Sequence, residues 1–283
     1  AATERAIAIA RRGKDPRPVG RMLDERSFVN AIVGLHATGG STNHTLHLPA
    51  MAAAAGITLT WQDFADLSEV TPLLARVYPN GQADVNHFHA AGGMGYVIAE
   101  LLGAGLLDGS AATVSGDSLA DYAREPVLSD NGLVWRDAPS TSLDTDILRP
   151  AGDPHAPNGG LRMLDGNLGK AVIKISAVAE ERRLIEASAA VFEDEAAVKA
   201  AYSAGELDRD VVVVVRGQGP QATGMPELHS LTPMLSNLQD KGHAVALVTD
   251  GRMSGASGTV PAAIHVMPCL LYTSDAADEV FGV

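Results

Sequence analysis

Residues Val211–Val215 are five consecutive valines, opened by Asp210 and closed by Arg216. Two substituents on every Cβ stiffen χ1 and suit a pleated strand far better than a helix. A run that is apolar at every position fits a buried strand. A second short apolar run, Ala244–Val248, follows a helix that Thr232 and Pro233 start and that ends near Asp240. Each of these strands leaves through a glycine-rich loop, 217–227 in one case and 249–258 in the other. In α/β sheets ligands collect at strand ends, so these two loops are the first places to look for a site.

The rest of the chain supports an α/β reading. Thr3–Arg12 has helical composition. Phe28, Val29, Ile32 and Val33 fall at helical spacing, and the run is interrupted at residues 38–42. A further helix through Leu46, Met51 and Ala55 stops at Gly56, with Ser41 or Thr42 as its expected cap. Thr60 and Asp63 have the spacing of a capping box, and His87–Leu102 reads as one helix closed by Gly103 and Gly105. Between about Asp117 and Gly160, five prolines among Asp, Ser and Asn end the helical periodicity, and a domain boundary is expected there. Lys170–Val178 then reads as a strand and Glu193–Ala204 as a helix. The expected division is 1–150, 151–268 and a tail, 269–283, unrelated to the alternation before it.

Composition narrows the partners. Of 283 residues 46% are hydrophobic, enough for more than one core. A formal charge of −13 leaves no net positive field for nucleic acid or anionic lipid. No stretch approaches the roughly 20 apolar residues of a membrane helix. The single cysteine, Cys269, cannot alone hold zinc or an iron–sulfur cluster, and it suits a reducing cytoplasm. A small molecule is the expected partner.

The loop 249–258 is neither a P-loop, lacking the closing Gly-Lys-Ser/Thr, nor a nucleophile elbow, because Ser254 lacks flanking glycines at −2 and +2. It reads either as a turn in which Ser254 or Ser257 caps a helix, or as a serine held among backbone N–H groups that act on its basicity. Glu227 in the other loop is either a first-turn residue of a helix starting at Pro226, or a carboxylate for a hard cation such as Mg²⁺. The histidine pairs His44/His47 and His87/His89 lack a third metal ligand at fixed spacing.

At these loops the chain resembles the dihydroxy-acid and sugar-acid dehydratase family. The resemblance lies in Gly34–Asn43, Gly166-Asn167-Leu168, Gly224–Glu227 and Thr249–Gly255, and runs to about Pro268. Residues 43–50, 77–81, 84–88 and 252–258 look closest to the branch that acts on a phosphorylated sugar acid of the Entner–Doudoroff pathway. The resemblance implies an α/β N-terminal domain, here truncated, followed by a swivelling, β-barrel-like α/β C-terminal domain. It implies a hydro-lyase in which a base takes the C2 proton and an iron–sulfur cluster receives the C3 hydroxyl, giving a 2-keto-3-deoxy acid. Ser254 matches the family's base, and Glu227 matches a ligand of the Mg²⁺ found in its 2Fe–2S branch. Thr249, Asp250, Gly251 and Arg252 are the substrate-binding candidates. The cluster cysteines are expected upstream of this chain, so none of its ligands is here and these 283 residues alone are expected to be inactive. A homodimer is expected of the complete enzyme. The rival readings are a dehydratase of an unphosphorylated acid, a non-catalytic sugar-acid binding protein and a histidine-metal hydrolase.

Overall fold

The structure is a computed structural model that describes residues 2–130, 132–224, 226–253 and 260–267. The chain forms two compact units, Ala1–Gly40 with His44–Gly159, and Ser41–Asn43 with Gly160–Val283.

The first unit is mostly helical. α1 (Ala2–Ile9) is followed by α2 (Glu25–Thr38), which starts where the Asp24 carboxylate accepts the Ser27 N–H. α2 stops at Gly39, whose φ of 57° lets its N–H return to the carbonyls of Leu35 and His36. α3 (His44–Ala54) begins later than the expected cap: Ser41 Oγ accepts the Asn43 N–H, and Thr42 uses its hydroxyl elsewhere. α4 (Trp61–Val70) carries the Thr60/Asp63 capping box read from the sequence. The single helix expected over His87–Leu102 is two, α5 (Val85–Ala91) and α6 (Gly93–Gly103). They break at Gly92, whose φ of 138° and approach to Tyr96 leave no place for a side chain: an added Cβ would lie 2.9 Å from Tyr96 Cβ. Val33, Leu74, Tyr96, Val97, Leu101 and Leu148 fill the core. The proline-rich stretch contains an antiparallel hairpin, β1 (Arg124–Ser129) with β2 (Gly132–Asp137), which the absence of helical periodicity did not reveal.

The second unit is built on a six-stranded sheet in the order β3-β4-β8-β7-β6-β5. β3 (Leu161–Gly166) and β4 (Gly169–Lys174) are antiparallel, as are β4 and β8 (Ala262–Met267). β5 (Ala189–Phe192), β6 (Val211–Val215), β7 (Val245–Thr249) and β8 run parallel. α7 (Glu195–Ser203) connects β5 to β6; between β6 and β7 lie the short α8 (Pro220–Thr223) and α9 (Thr232–Asp240). The valine run is the interior strand its composition required: β6 pairs on both edges, Val211, Val213 and Val215 are buried, and Val212 and Val214 are half-buried. Between β4 and β8 the register shifts by one residue, Lys170 facing Met267 but Val172 facing Ile264. The extra residue lies beside buried His265, whose φ of 56° takes its N–H out of the ladder and onto the Gly251 carbonyl at 3.0 Å.

Candidate functional site

Parallel strands β6 and β7 end side by side, Val215 facing Thr249, so the loops that follow them start as neighbours. Asp250 ties them at the root. Its carboxylate, 3% exposed, accepts the Gln218 N–H at 2.9 Å and the Gly217 N–H at 3.2 Å. Gln218 continues the brace by donating from Nε2 to the Glu193 carbonyl at 2.9 Å. The Thr249 hydroxyl accepts the Gly251 N–H at 3.0 Å. Gly251 is hemmed in, since an added Cβ would stand 2.8 Å from Gln218 Cβ and 2.9 Å from Leu228 Cδ1. Thr249, Asp250 and Gly251 therefore give shape to this loop, while the Arg252 side chain reaches out of it.

Farther out the loops meet again. Glu227 and Arg252 form an isolated parallel bridge, and the Leu228 N–H donates to the Arg252 carbonyl at 3.0 Å. Glu227 is thus not in the first turn of a helix from Pro226: α8 ends at Thr223, Gly224 turns the chain with a φ of 80°, and the next helical turn is His229–Leu231. Backbone pairing brings the two side chains together, Arg252 Nη1 lying 3.7 Å from Glu227 Oε1. Asn43 joins them, its Nδ2 donating to Glu227 Oε1 at 2.8 Å. Asn43 Oδ1 is buried without a hydrogen-bond partner among the described residues. Beside it, the buried Thr42 hydroxyl donates to the Met253 carbonyl at 3.0 Å. Asn43 lies in two of the stretches that carry the family resemblance, but nothing in them singles it out or points to a loop 184 residues away; its turn chemistry, glycines followed by short polar residues, adds a general signal for a loop.

Ser254, the expected base, lies outside the described residues, as does Cys269. The site that is described contains one carboxylate, one guanidinium and one amide on paired loops, at the partial exposure of about a fifth shown by both Glu227 and Arg252. A guanidinium can take the carboxylate of a hydroxy acid, the carboxylate can take one of its hydroxyls, and the amide holds the carboxylate. On a different strand of the same sheet, burial lowers the Lys174 ammonium to a pKa of about 8.

Neither implied cofactor finds a complete site. No group of three or more His, Cys, Asp or Glu able to hold a metal occurs among the described residues, and His87 is engaged with Asp84 at the cap of α5. Those residues include no cysteine, so they do not build an iron–sulfur cluster. Glu227 fits a single position around Mg²⁺, an ion that takes one or two carboxylates and completes its shell with water or substrate. Among the described residues no helix is long and apolar enough to cross a membrane.

Residues 1–122 match the family model described as Dihydroxy-acid/6-phosphogluconate dehydratase N-terminal, and residues 146–273 match its C-terminal counterpart. The chain is 61% identical over 268 residues to phosphogluconate dehydratase of Rhizobium meliloti (strain 1021), covering 94% of this chain and 44% of the relative. It is 54% identical over 268 residues to phosphogluconate dehydratase of Escherichia coli (strain K12), covering 95% and 44% respectively. Dihydroxy-acid dehydratase of Nitratidesulfovibrio vulgaris is 39% identical over 251 residues, covering 87% and 42%. The chain thus spans less than half the length of the curated relatives it matches. The two family models, together spanning residues 1–122 and 146–273, make this chain a member of the dihydroxy-acid/6-phosphogluconate dehydratase family.

Proposed function

We propose that the full-length protein carrying this chain is a hydro-lyase that converts 6-phosphogluconate to 2-dehydro-3-deoxy-6-phosphogluconate and water, the dehydration step of the Entner–Doudoroff pathway. The observation that carries the substrate is the gap in identity between relatives named phosphogluconate dehydratase, 54% and 61% in the cases above, and the dihydroxy-acid dehydratase at 39%. The site geometry supports the chemistry. The C2 proton beside a carboxylate is weakly acidic, and its removal leaves a dianionic enolate that needs nearby positive charge. Arg252 holds the substrate carboxylate and supplies that charge, with Thr249, Asp250 and Gly251 forming the floor of the same loop. Ser254, acting as its alkoxide, takes the C2 proton; the C2–H pair forms the C2–C3 double bond as the C3–O bond breaks, and the departing hydroxide takes that proton from Ser254 and leaves as water. The resulting enol takes a proton at C3 to become the 2-keto acid. Glu227 would hold Mg²⁺ through one carboxylate oxygen, and the bound ion would add Lewis-acid stabilisation of the enolate. The iron–sulfur cluster general to this family belongs with residues outside the described part of this chain.

In this reading residues 1–150 close the N-terminal dehydratase domain and 151–268 form the swivelling, barrel-like C-terminal domain, whose family match runs on to residue 273 rather than stopping at Pro268. The complete enzyme is a cytoplasmic homodimer acting on a small-molecule sugar acid. The test is a turnover assay of the full-length protein on 6-phosphogluconate, gluconate and 2,3-dihydroxy-isovalerate. Ser254→Ala is expected to lower kcat by about 10²–10⁴-fold with the cluster absorption retained. A higher kcat/KM for an unphosphorylated acid would transfer the assignment to that acid. Binding without turnover would reduce the protein to a sugar-acid binder.

A further inference from the structure

The reaction proposed above asks two groups on separate loops to serve one small substrate, Ser254 as the base and Glu227 through the cation it would hold. Gly217 and Gly224 take positive φ in the Glu227 loop, a conformation that glycine adopts freely. Among the described residues, the Asp250 brace ties the loops near the ends of β6 and β7. Farther out, the backbone tie is the Glu227–Arg252 bridge with its Leu228 N–H bond. A catalytic pair needs firmer support than that, because an error of about 1 Å in placement can cost two orders of magnitude in rate.

The missing support comes from a distant part of the sequence. By its contacts, Ser41–Asn43 belongs to the second unit, although the residues on either side of it belong to the first. Its consecutive side chains go to different loops. Thr42, fully buried, donates to the Met253 carbonyl, the carbonyl of the peptide bond to Ser254. Asn43 donates to Glu227 Oε1 and so restrains the rotation of that carboxylate. The direction of this amide is dictated by charge, since only the NH₂ end can face a carboxylate. Gly39, left-handed at the end of α2, allows the chain to turn sharply into the tripeptide.

We propose that Thr42 and Asn43 are positioning residues for the dehydration, two adjacent side chains that hold the Glu227 carboxylate and the Met253 carbonyl, next in sequence to Ser254, at a fixed separation. This rests on the assignment of Glu227 and Ser254 to the reaction.

The test uses the full-length enzyme with 6-phosphogluconate, comparing Asn43→Ala, Thr42→Val and Thr42→Ser with Glu227→Gln and Ser254→Ala. Asn43→Ala and Thr42→Val are expected to lower kcat by about 10- to 100-fold. KM and the melting temperature stay near those of the parent, because neither residue binds substrate in this proposal. Thr42→Ser keeps the hydroxyl and retains most of the turnover. Hydrogen exchange gives a readout independent of activity: the Leu228 amide exchanges about tenfold faster in Asn43→Ala. The double variant Asn43→Asp/Glu227→Gln, which reverses donor and acceptor, restores its protection without restoring turnover. The proposal is overturned if Asn43→Ala and Thr42→Val keep kcat within twofold of the parent while Glu227→Gln and Ser254→Ala are inactive. It is also overturned if Thr42→Ser is as impaired as Thr42→Val. Parental turnover in Glu227→Gln and Ser254→Ala would instead remove the assignment on which it rests.

Discussion

Asp250→Ala probes the root of the site most directly. Asp250 is 3% exposed, and its carboxylate takes two backbone donors, Gln218 N–H at 2.9 Å and Gly217 N–H at 3.2 Å. A hydrogen bond to a charged group contributes about 1.5–3 kcal/mol, and a buried donor left without an acceptor costs about 1–3 kcal/mol. Alanine removes both bonds. With the 3.2 Å bond counted at the weak end, the expected loss is about 3–5 kcal/mol. Asp250→Asn separates charge from shape. Its carbonyl oxygen still serves one donor, but its NH₂ faces the other, so the loss is about half as large. Because the chain has two units, a single midpoint would mix their unfolding. The assay is urea-dependent hydrogen exchange followed at the Gly217 and Gln218 amides. The expected order of protection is parent, then Asp250→Asn, then Asp250→Ala. Protection in Asp250→Ala equal to that of the parent would refute the brace and return Asp250 to the pool of groups free to meet substrate.

Further outcomes follow from groups elsewhere. Lys174, 5% exposed, has its pKa lowered from 10.5 to about 8 by burial. The unfolded chain therefore binds the proton between these values while the folded chain has released it, and stability rises with pH across that window. Below pH 8 the full cost of the buried charge remains, on the order of 3 kcal/mol. Lys174→Met is thus expected to be more stable than the parent at pH 7, with a gap that closes toward pH 10.5; parallel denaturation curves from pH 7 to 10.5 would refute this. Gly39→Ala places a Cβ 1.9 Å from Asn80 Nδ2 at a φ of 57°. It is expected to lose the Asn80 bond to the Gly39 carbonyl and about 2 kcal/mol or more, read as an earlier unfolding of the first unit. Thr60→Ala breaks the capping box and should cost that unit about 1 kcal/mol by the same measure.

What the sequence made legible was local. Valine stiffness picked out β6, and the Thr60/Asp63 spacing marked the start of α4, because each signal lies within one turn or one strand. The alternation of strands and glycine loops also placed both halves of the site at strand ends. The helix read over His87–Leu102 failed because Gly92 interrupts it without disturbing the apolar periodicity on either side. Glu227 was read against its neighbours in sequence, whereas its conformation is set by pairing with Arg252 on another loop. The β8 bulge was invisible for a related reason. His265 occupies a left-handed position where glycine is the default residue, and the Gly251 carbonyl that accepts its N–H comes from 14 residues earlier in the chain. Asn43 is the extreme case, a site residue with no local mark of its partner.

The visit of Ser41–Asn43 to the second unit also bears on how the protein can be taken apart. A single cut between Gly159 and Gly160 looks like a natural dissection point, yet the downstream piece would depart without the tripeptide that its own contacts claim. Separate expression, domain exchange between homologues and circular permutation all meet this obstacle, because the portable module is discontinuous along the chain. A hybrid that keeps residues 160–267 from one parent must inherit residues 41–43 from the same parent, or tolerate a mismatched seam at its most sensitive place.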